Sequence, residues 1–281
     1  MARFEETRNA FAGSFQNRRL WLIQFFANPV LFALFAAWLL IPVARTWQII
    51  LNAVLAAGIV VAALVLHAGT LNYFCDRSGD EGAALKLAFG RALRHLAAVA
   101  VWAGAFYLIW ELVGKLDEYH DAVPTFIRSM FPAFLRQLIS LGVITALFDG
   151  FVFVLRWIVA PGLLLPLALR AADVGFRGWG RAGLATWKAV IASLQYWGVV
   201  TLAAVLGVFA SGRIMDWTPR SADPTFAGET ISLILRLLAA YLLALFSWML
   251  ACSMIGHRCA VREHVGGDSA GKPAESGLLS I

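Results

Sequence analysis

An all-α transmembrane bundle is the fold class this sequence predicts, on three observations. Hydrophobic residues fill 60% of the 281 positions and charged residues only 14%, whereas a soluble domain carries about 25% charged residues to cover its surface. Apolar runs long enough to cross a bilayer recur along the chain, separated by short polar intervals. Basic residues crowd alternate intervals, as in loops that stay cytoplasmic while helices cross and return. Together these predict about six spans, two basic amphipathic interfacial helices and a weak internal repeat, with no cofactor and no metal.

Residues 1–19 are the lead-in. Phe4, Phe11 and Phe15 fall at helical spacing beside Arg8, Asn17, Arg18 and Arg19, which suits a helix lying at headgroup level. Arg18-Arg19-Leu20-Trp21 then marks the membrane entry. The first span, Leu20–Ile41, exceeds the apolar core of a cleavable signal peptide and is expected to stay as an anchor. A second span follows from Trp47 to about Leu71. His67 near its end reads as a hydrogen-bonded packing residue, because no second ionisable group follows at helical spacing.

In residues 72–94, Leu85, Ala88, Phe89, Ala92 and Leu93 recur at helical spacing against Lys86, Arg91 and Arg94, which predicts an amphipathic helix with a basic side. The third span is Leu96 to about Val113. Residues 114–130 are acidic in character, with Asp117, Glu118 and Asp121. A second basic interval, 170–189, carries Arg170, Arg177, Arg181 and Lys188, with Phe176, Trp179, Gly183, Trp187 and Val190 on one helical face. Spans from Val190 to about Ala210 and from about Ile231 to Ile255 follow, then a polar tail, 256–281, disordered towards its end. Shifting the first basic interval by about 97 residues places Asp76 on Asp173, Ala88 on Ala185 and Arg91 on Lys188. The sequence thus repeats the order span, acidic turn, basic amphipathic helix, span.

The stretch Phe131–Arg170 decides the topology. As one helix it would reach about 60 Å, twice the hydrocarbon thickness of ~30 Å. If it crosses once, the N-terminus, both basic intervals and the tail share a side that holds about 15 of the 23 Lys and Arg, against about seven opposite. If it crosses twice, the bias disappears. The positive-inside rule therefore selects one crossing, six spans and both termini cytoplasmic. Residues 131–148 then become a tilted, bent or re-entrant extension joined to the span near Asp149-Gly150, with Pro161-Gly162 and Pro166 bending the span.

Signatures of known chemistry are few. HExxH, GxSxG, Walker A and GxGxxG are absent from the sequence. The net charge of +6 fits cytoplasmic helix ends better than nucleic acid, because no basic patch with stacking residues accompanies it. Cys75, Cys252 and Cys259 are too scattered for a disulfide framework. Asp117, Glu118, His120 and Asp121 read as a solvated acidic loop, and His257, Cys259 and His264 as a solvated tail, rather than metal sites. The candidate intramembrane polar site is Asp149 and Arg156, seven residues and about 10 Å apart on one helix face. They are too distant to touch, but each can pair across helices. Arg136 and Arg236 read as snorkelling to the far headgroups. Ala53, Ala57, Gly58, Gly198, Gly207, Ser211 and Gly212 allow close helix approach.

The chain resembles a class of six-span bacterial inner-membrane proteins that includes the membrane domain appended to some glycerophosphodiester phosphodiesterases. The resemblance rests on Arg18-Arg19-Leu20-Trp21, on Trp157, Pro161 and Pro166 before a turn, and on Gly180-Arg181-Ala182 with Trp187-Lys188. It covers most of residues 15–255. The phosphodiesterase domain has no counterpart here, so the resemblance implies a membrane location and no catalytic residue.

The sequence thus leads to a non-enzymatic protein of the bacterial cytoplasmic membrane that interacts with lipid or assists membrane homeostasis. Lys86, Arg91, Arg94, Arg177, Arg181 and Lys188 are the candidate contacts to an anionic inner leaflet. A small transporter or channel using Asp149 and Arg156 is the alternative, and an intramembrane lipid-modifying enzyme a further one. Whether the chain forms a homo-oligomer stays open.

Overall fold

The computed structural model describes residues 17–42, 44–75, 81–217 and 226–270, together with Arg8, Ala12 and Phe15. Side chains beyond Gly256, and those of Trp179, Arg181, Ala182, Thr186, Phe226 and Ala227, lie outside that description, as do Phe4, Phe11 and Asp76. Every element among the described residues is helical. Six helices are long and apolar enough to cross a membrane: Arg18–Leu39, Thr46–Cys75, Leu96–Tyr119, Leu141–Arg177, Leu194–Asp216 and Gly228–Gly256. Their lipid-facing sides stay apolar and exposed, as at Phe32, Leu40, Ile50, Leu108 and Leu112. The chain is an integral membrane protein built as an all-α bundle.

Helix α1, Arg18–Leu39, starts on an Asn17 cap whose side chain accepts from the Leu20 N–H. It pairs with α2, Thr46–Cys75, through a buried polar contact. Gln24 donates to the Thr70 hydroxyl and, through its own Oε1, accepts from Asn28 at 2.8 Å. Helix α3, Glu81–Arg94, is the first short amphipathic helix. Its alanine side, Ala84, Ala88 and Ala92, is buried against α2, and Lys86, Leu87, Leu93 and Arg94 are exposed. Helix α4, Leu96–Gly114, then returns across the bundle and ends in a 3₁₀ turn, Lys115–Tyr119.

The central stretch crosses once, but its break is not at Asp149-Gly150. Two short helices, α5 (Ala122–Met130) and α6 (Ala133–Leu138), lie at the acidic end of the bundle. Ser140 then caps α7, Leu141–Val154, accepting from the Val143 N–H. Helix α7 runs through Asp149-Gly150 without interruption into a π turn, Leu155–Val159, and on into α8, Ala160–Val174. A capping serine with an extended backbone starts a helix more decisively than an Asp-Gly pair breaks one. The π turn sits immediately before Pro161, where the missing N–H and the ring disrupt the regular i→i−4 pattern and the wider i→i+5 turn absorbs the misfit.

Gly175 closes α8 in a left-handed conformation, φ +66°, which only glycine adopts cheaply. The His95 ring lies against its α-carbon, where a Cβ would meet Nδ1 at 2.7 Å. A 3₁₀ turn, Gly175–Trp179, then precedes α9, Arg181–Ile191. The second basic interval is therefore two pieces, and Phe176 and Val190 do not share one continuous helix face as the spacing predicts. After α9 come α10 (Leu194–Ala204), a second π turn (Val205–Ala210), α11 (Ser211–Asp216) and the long α12, Phe226–Ala270.

The order span, turn, short helix, span occurs twice, and its first spans lie side by side. Asn72 of α2 donates to the Ala172 carbonyl of α8 at 3.0 Å, so positions 100 apart in sequence sit at one depth. Against them α4 runs antiparallel. His95 meets Gly175, and Gly114 meets Arg156. Along each of the two segments of this pairing the contact positions, His95 and Gly114 on one and Arg156 and Gly175 on the other, are 19 residues apart, about 28 Å of helix and close to one hydrocarbon thickness. Both ends of the bundle sequence lie on one side. The Arg19 N–H reaches Glu81 at 3.4 Å, and Gly256 packs onto the Phe74 backbone. This basic end collects Arg18, Arg19, Arg94, Arg170, Arg177 and Lys188.

Candidate functional site

At the acidic end, Asp149 and Arg156 do not touch each other, and each is paired across to the turn after α4. Arg156 Nη1 donates to Asp117 Oδ2 at 2.8 Å, and its guanidinium lies 3.7 Å over the Trp110 ring. The same ring packs edge-on to Trp157 at 5.6 Å. Gly114 makes room for the guanidinium, since a Cβ there would lie 2.8 Å from Nη2. Asp149 pairs with His120 at 2.8 Å. That hydrogen bond, with the Asp149 charge behind it, raises the His120 pKa above its usual 6.5.

The register of α4 against α8 puts Arg156 level with Gly114, at the last residue of α4, where its guanidinium reaches Asp117 of the following turn. Asp149 stands about 10 Å beyond it. The two residues therefore clasp the 115–121 turn onto the base of α7, and half of the Asp149 and His120 side chains faces solvent. Among the described residues no three His, Cys, Asp or Glu side chains converge on a point. His257, Cys259 and His264 lie outside the described side chains.

Arg136 and Arg236 hold nearby backbone. Arg136 donates to the Phe131 and Ser129 carbonyls, and Arg236 to the Met215 and Trp217 carbonyls. Both finish turns at the acidic end.

At the basic end, Arg91 forms an ion pair with Asp173 at 3.2 Å, and Arg170 approaches the same carboxylate at 3.8 Å. One edge of Arg91 is thus committed to holding α3 on α8. Lys86, Arg94, Arg177 and Lys188 remain exposed, and Arg181 is outside the described side chains. Beside them, Phe15, Arg18, Trp21, Leu22 and Phe25 enclose an open groove of about 420 Å³. Phe15 stacks on Trp21 with centroids 5.9 Å apart. One cation and three aromatic rings line a cleft at the membrane entry of α1.

Two polar features were not anticipated. Gln24, Asn28 and Thr70 form a hydrogen-bonded ladder between α1 and α2, joined from α12 by the Tyr241 hydroxyl. Gln24 and Asn28, four residues apart in an otherwise apolar span, were the available signal. His67, expected to be hydrogen-bonded, has a buried Nδ1 without a partner. Its ring instead packs edge-on to Trp248, centroids 5.2 Å apart. Of the small residues, Gly207 lies against Ser247 and Ser211 donates to the Ala240 carbonyl at 3.2 Å. Gly58, Gly198 and Gly212 adjoin open space.

Compared with protein-family models, curated proteins and solved structures, the chain matches none.

Proposed function

We propose that this is a lipid-interacting, non-enzymatic protein of a bacterial cytoplasmic membrane, with the basic end and both termini in the cytoplasm. The groove at Arg18 carries the reading. Its guanidinium stands where an anionic headgroup would lie, and Trp21, Leu22 and Phe25 continue from it along α1 in the direction of an acyl chain. Arg94, Lys86, Arg177 and Lys188 extend the positive field on the same end, each exposed cation adding about 1 kcal/mol of attraction to an anionic surface. The positive-inside rule supports the orientation.

Transport through Asp149 and Arg156 is the weaker reading, because both groups are held in pairs at one rim and not along a path between the two ends. The deciding experiment is native mass spectrometry of protein extracted with phosphatidylglycerol and phosphatidylcholine in equal amounts. Preferential retention of phosphatidylglycerol, reduced in Arg18→Gln, supports the proposal. Equal retention of both lipids by the wild type removes it.

A further inference from the structure

Between α4 and α7 the chain makes two helices too short to cross a membrane. Helix α5 has nine residues and α6 six, about 14 Å and 9 Å of length against a hydrocarbon layer of ~30 Å. They form one unit. Arg136 donates to the Ser129 and Phe131 carbonyls, and Arg128 to the Arg136 carbonyl. His120 ties the start of this unit to Asp149 of α7, and α5 packs along α7.

Helix α5 has three sides, roughly a third of a turn apart at 3.6 residues per turn. Val123, Pro124 and Ile127 face the bundle and are buried or half-buried. Phe126 and Met130, one turn apart, share a second side and are 62% and 70% exposed. Thr125 and Ser129 share the third and are exposed as well. Helix α6 also divides its surface. Phe134 and Leu138, again one turn apart, are exposed, and so are the polar Arg136 and Gln137 between them.

Neither water nor hydrocarbon alone suits such a surface. In water, four large apolar side chains stand uncovered. In hydrocarbon, the Arg136 charge and the Gln137 amide are costly. The boundary between headgroups and acyl chains suits both sides at once. The surrounding surface points to lipid as the occupant. Val143, Leu147 and Phe151, at successive turns of α7, form an exposed apolar row on the helix that α5 packs against, and Leu108 and Leu112 do the same on α4. The apolar outer surface of the spans runs on into Phe126 and Met130. Attraction to anionic headgroups contributes little here, because the adjoining turn carries Asp117, Glu118 and Asp121.

We propose that α5 and α6 lie in the membrane plane at the acidic end, with Phe126, Met130, Phe134 and Leu138 inserted among acyl chains and Thr125, Ser129, Arg136 and Gln137 at the headgroups. The partner is the bilayer leaflet on that side. The two helices thereby anchor the 115–121 turn, with its Asp117–Arg156 and His120–Asp149 contacts, at the membrane boundary. This surface is at the opposite end from the Arg18 groove and works by apolar insertion, so it stands or falls independently of headgroup recognition there.

The test places nitroxide labels on the full-length protein in phosphatidylcholine vesicles, with Cys75, Cys252 and Cys259 replaced by serine. Each label's collisions are measured with oxygen, which concentrates among acyl chains, and with a water-soluble nickel chelate. Leu112→Cys supplies the lipid reference, and Asp121→Cys, at a side chain 99% exposed, the water reference. Labels at Phe126→Cys and Met130→Cys are expected to favour oxygen, and those at Thr125→Cys and Ser129→Cys to favour nickel. The same inversion should separate Phe134→Cys and Leu138→Cys from Gln137→Cys, and none of these preferences should shift when phosphatidylglycerol replaces part of the lipid. Nickel preference throughout would put the helices in water, and oxygen preference throughout would put them inside the hydrocarbon; either overturns the proposal. Spin–spin broadening at Phe126→Cys that disappears on dilution with unlabelled protein would assign the surface to a second copy and overturns it too. A second measurement needs no substitution. In wild-type protein, a diazirine carried on an acyl chain should form adducts within residues 126–138, and adducts on the spans without any there would contradict the proposal.

Discussion

The Tyr196 hydroxyl donates to the Gly162 carbonyl at 2.7 Å, and that carbonyl is the one Pro166 leaves without a helical donor. A proline has no N–H for the carbonyl four residues earlier, and within a bilayer no water replaces it. The same arrangement recurs in α1. Pro29 frees the Phe25 carbonyl, and the Tyr241 hydroxyl donates to it at 2.9 Å. Each tyrosine comes from a different span, so the repair of a broken ladder also ties two helices together.

Tyr196→Phe should therefore lower stability by about 1–3 kcal/mol, the cost of a buried acceptor left unmade. Pro166→Ala returns a backbone N–H to that position, so in the double variant the loss of the hydroxyl should cost markedly less. Reversible unfolding in mixed micelles across this four-member cycle measures the coupling. Strict additivity would show that the hydroxyl does not serve the carbonyl freed by Pro166.

Arg156 should tolerate no replacement by lysine at full stability. A lysine keeps the charge but loses the flat face over Trp110 and the fixed geometry towards Asp117. The expected loss is about 0.5–1 kcal/mol, the size of an exposed cation–π contact, and it should shrink in a Trp110→Leu background to the part owed to Asp117. Thermal unfolding of the single and double variants checks this.

The His120–Asp149 pair sets a pH dependence. The folded pKa of His120 is raised by Asp149 above 6.5. Its stabilising contribution is complete below pH about 6.5 and fades as pH rises through the raised folded value. An NMR titration of histidine-labelled protein should find one resonance with an elevated pKa that falls towards 6.5 in Asp149→Asn. A His120 resonance indifferent to that substitution contradicts the pairing.

The ion pair at the basic end should respond to exchange of its charges. Asp173→Asn leaves Arg91 without its carboxylate, and its cost should be about 1 kcal/mol or less for a partly exposed pair. The same substitution in an Arg91→Gln background should cost less, the remainder reporting the more distant approach of Arg170 to the same carboxylate. Parallel unfolding measurements on the two backgrounds decide it.

The spans were legible because hydropathy registers every residue that faces lipid, and the predicted spans match the six helices within a few positions except in the central stretch. There the Asp149-Gly150 pair looks like a turn, while the actual boundary is Ser140, whose capping role depends on one backbone geometry. The seven-residue spacing of Asp149 and Arg156 correctly separated them, yet their partners stayed hidden. Which residues of the 115–121 turn meet α7 depends on the register of α4 against α8, and that register is set by Gly114 and Gly175. A hollow of about 400 Å³ beside His67, lined by α2, α4, α8 and Trp248 of α12, was illegible for a related reason. Its walls come from four helices, and each wall residue alone reads as ordinary packing.

The single crossing of the central stretch, with the basic end in the cytoplasm, underlies the whole account, and cysteine labelling tests it most directly. In protein with Cys75, Cys252 and Cys259 replaced by serine, Ser129→Cys and Arg177→Cys are exposed at opposite ends of the bundle. With an impermeant thiol reagent on intact cells, the account predicts labelling of Ser129→Cys at once and of Arg177→Cys only after permeabilisation. Labelling of Arg177→Cys in intact cells would contradict it.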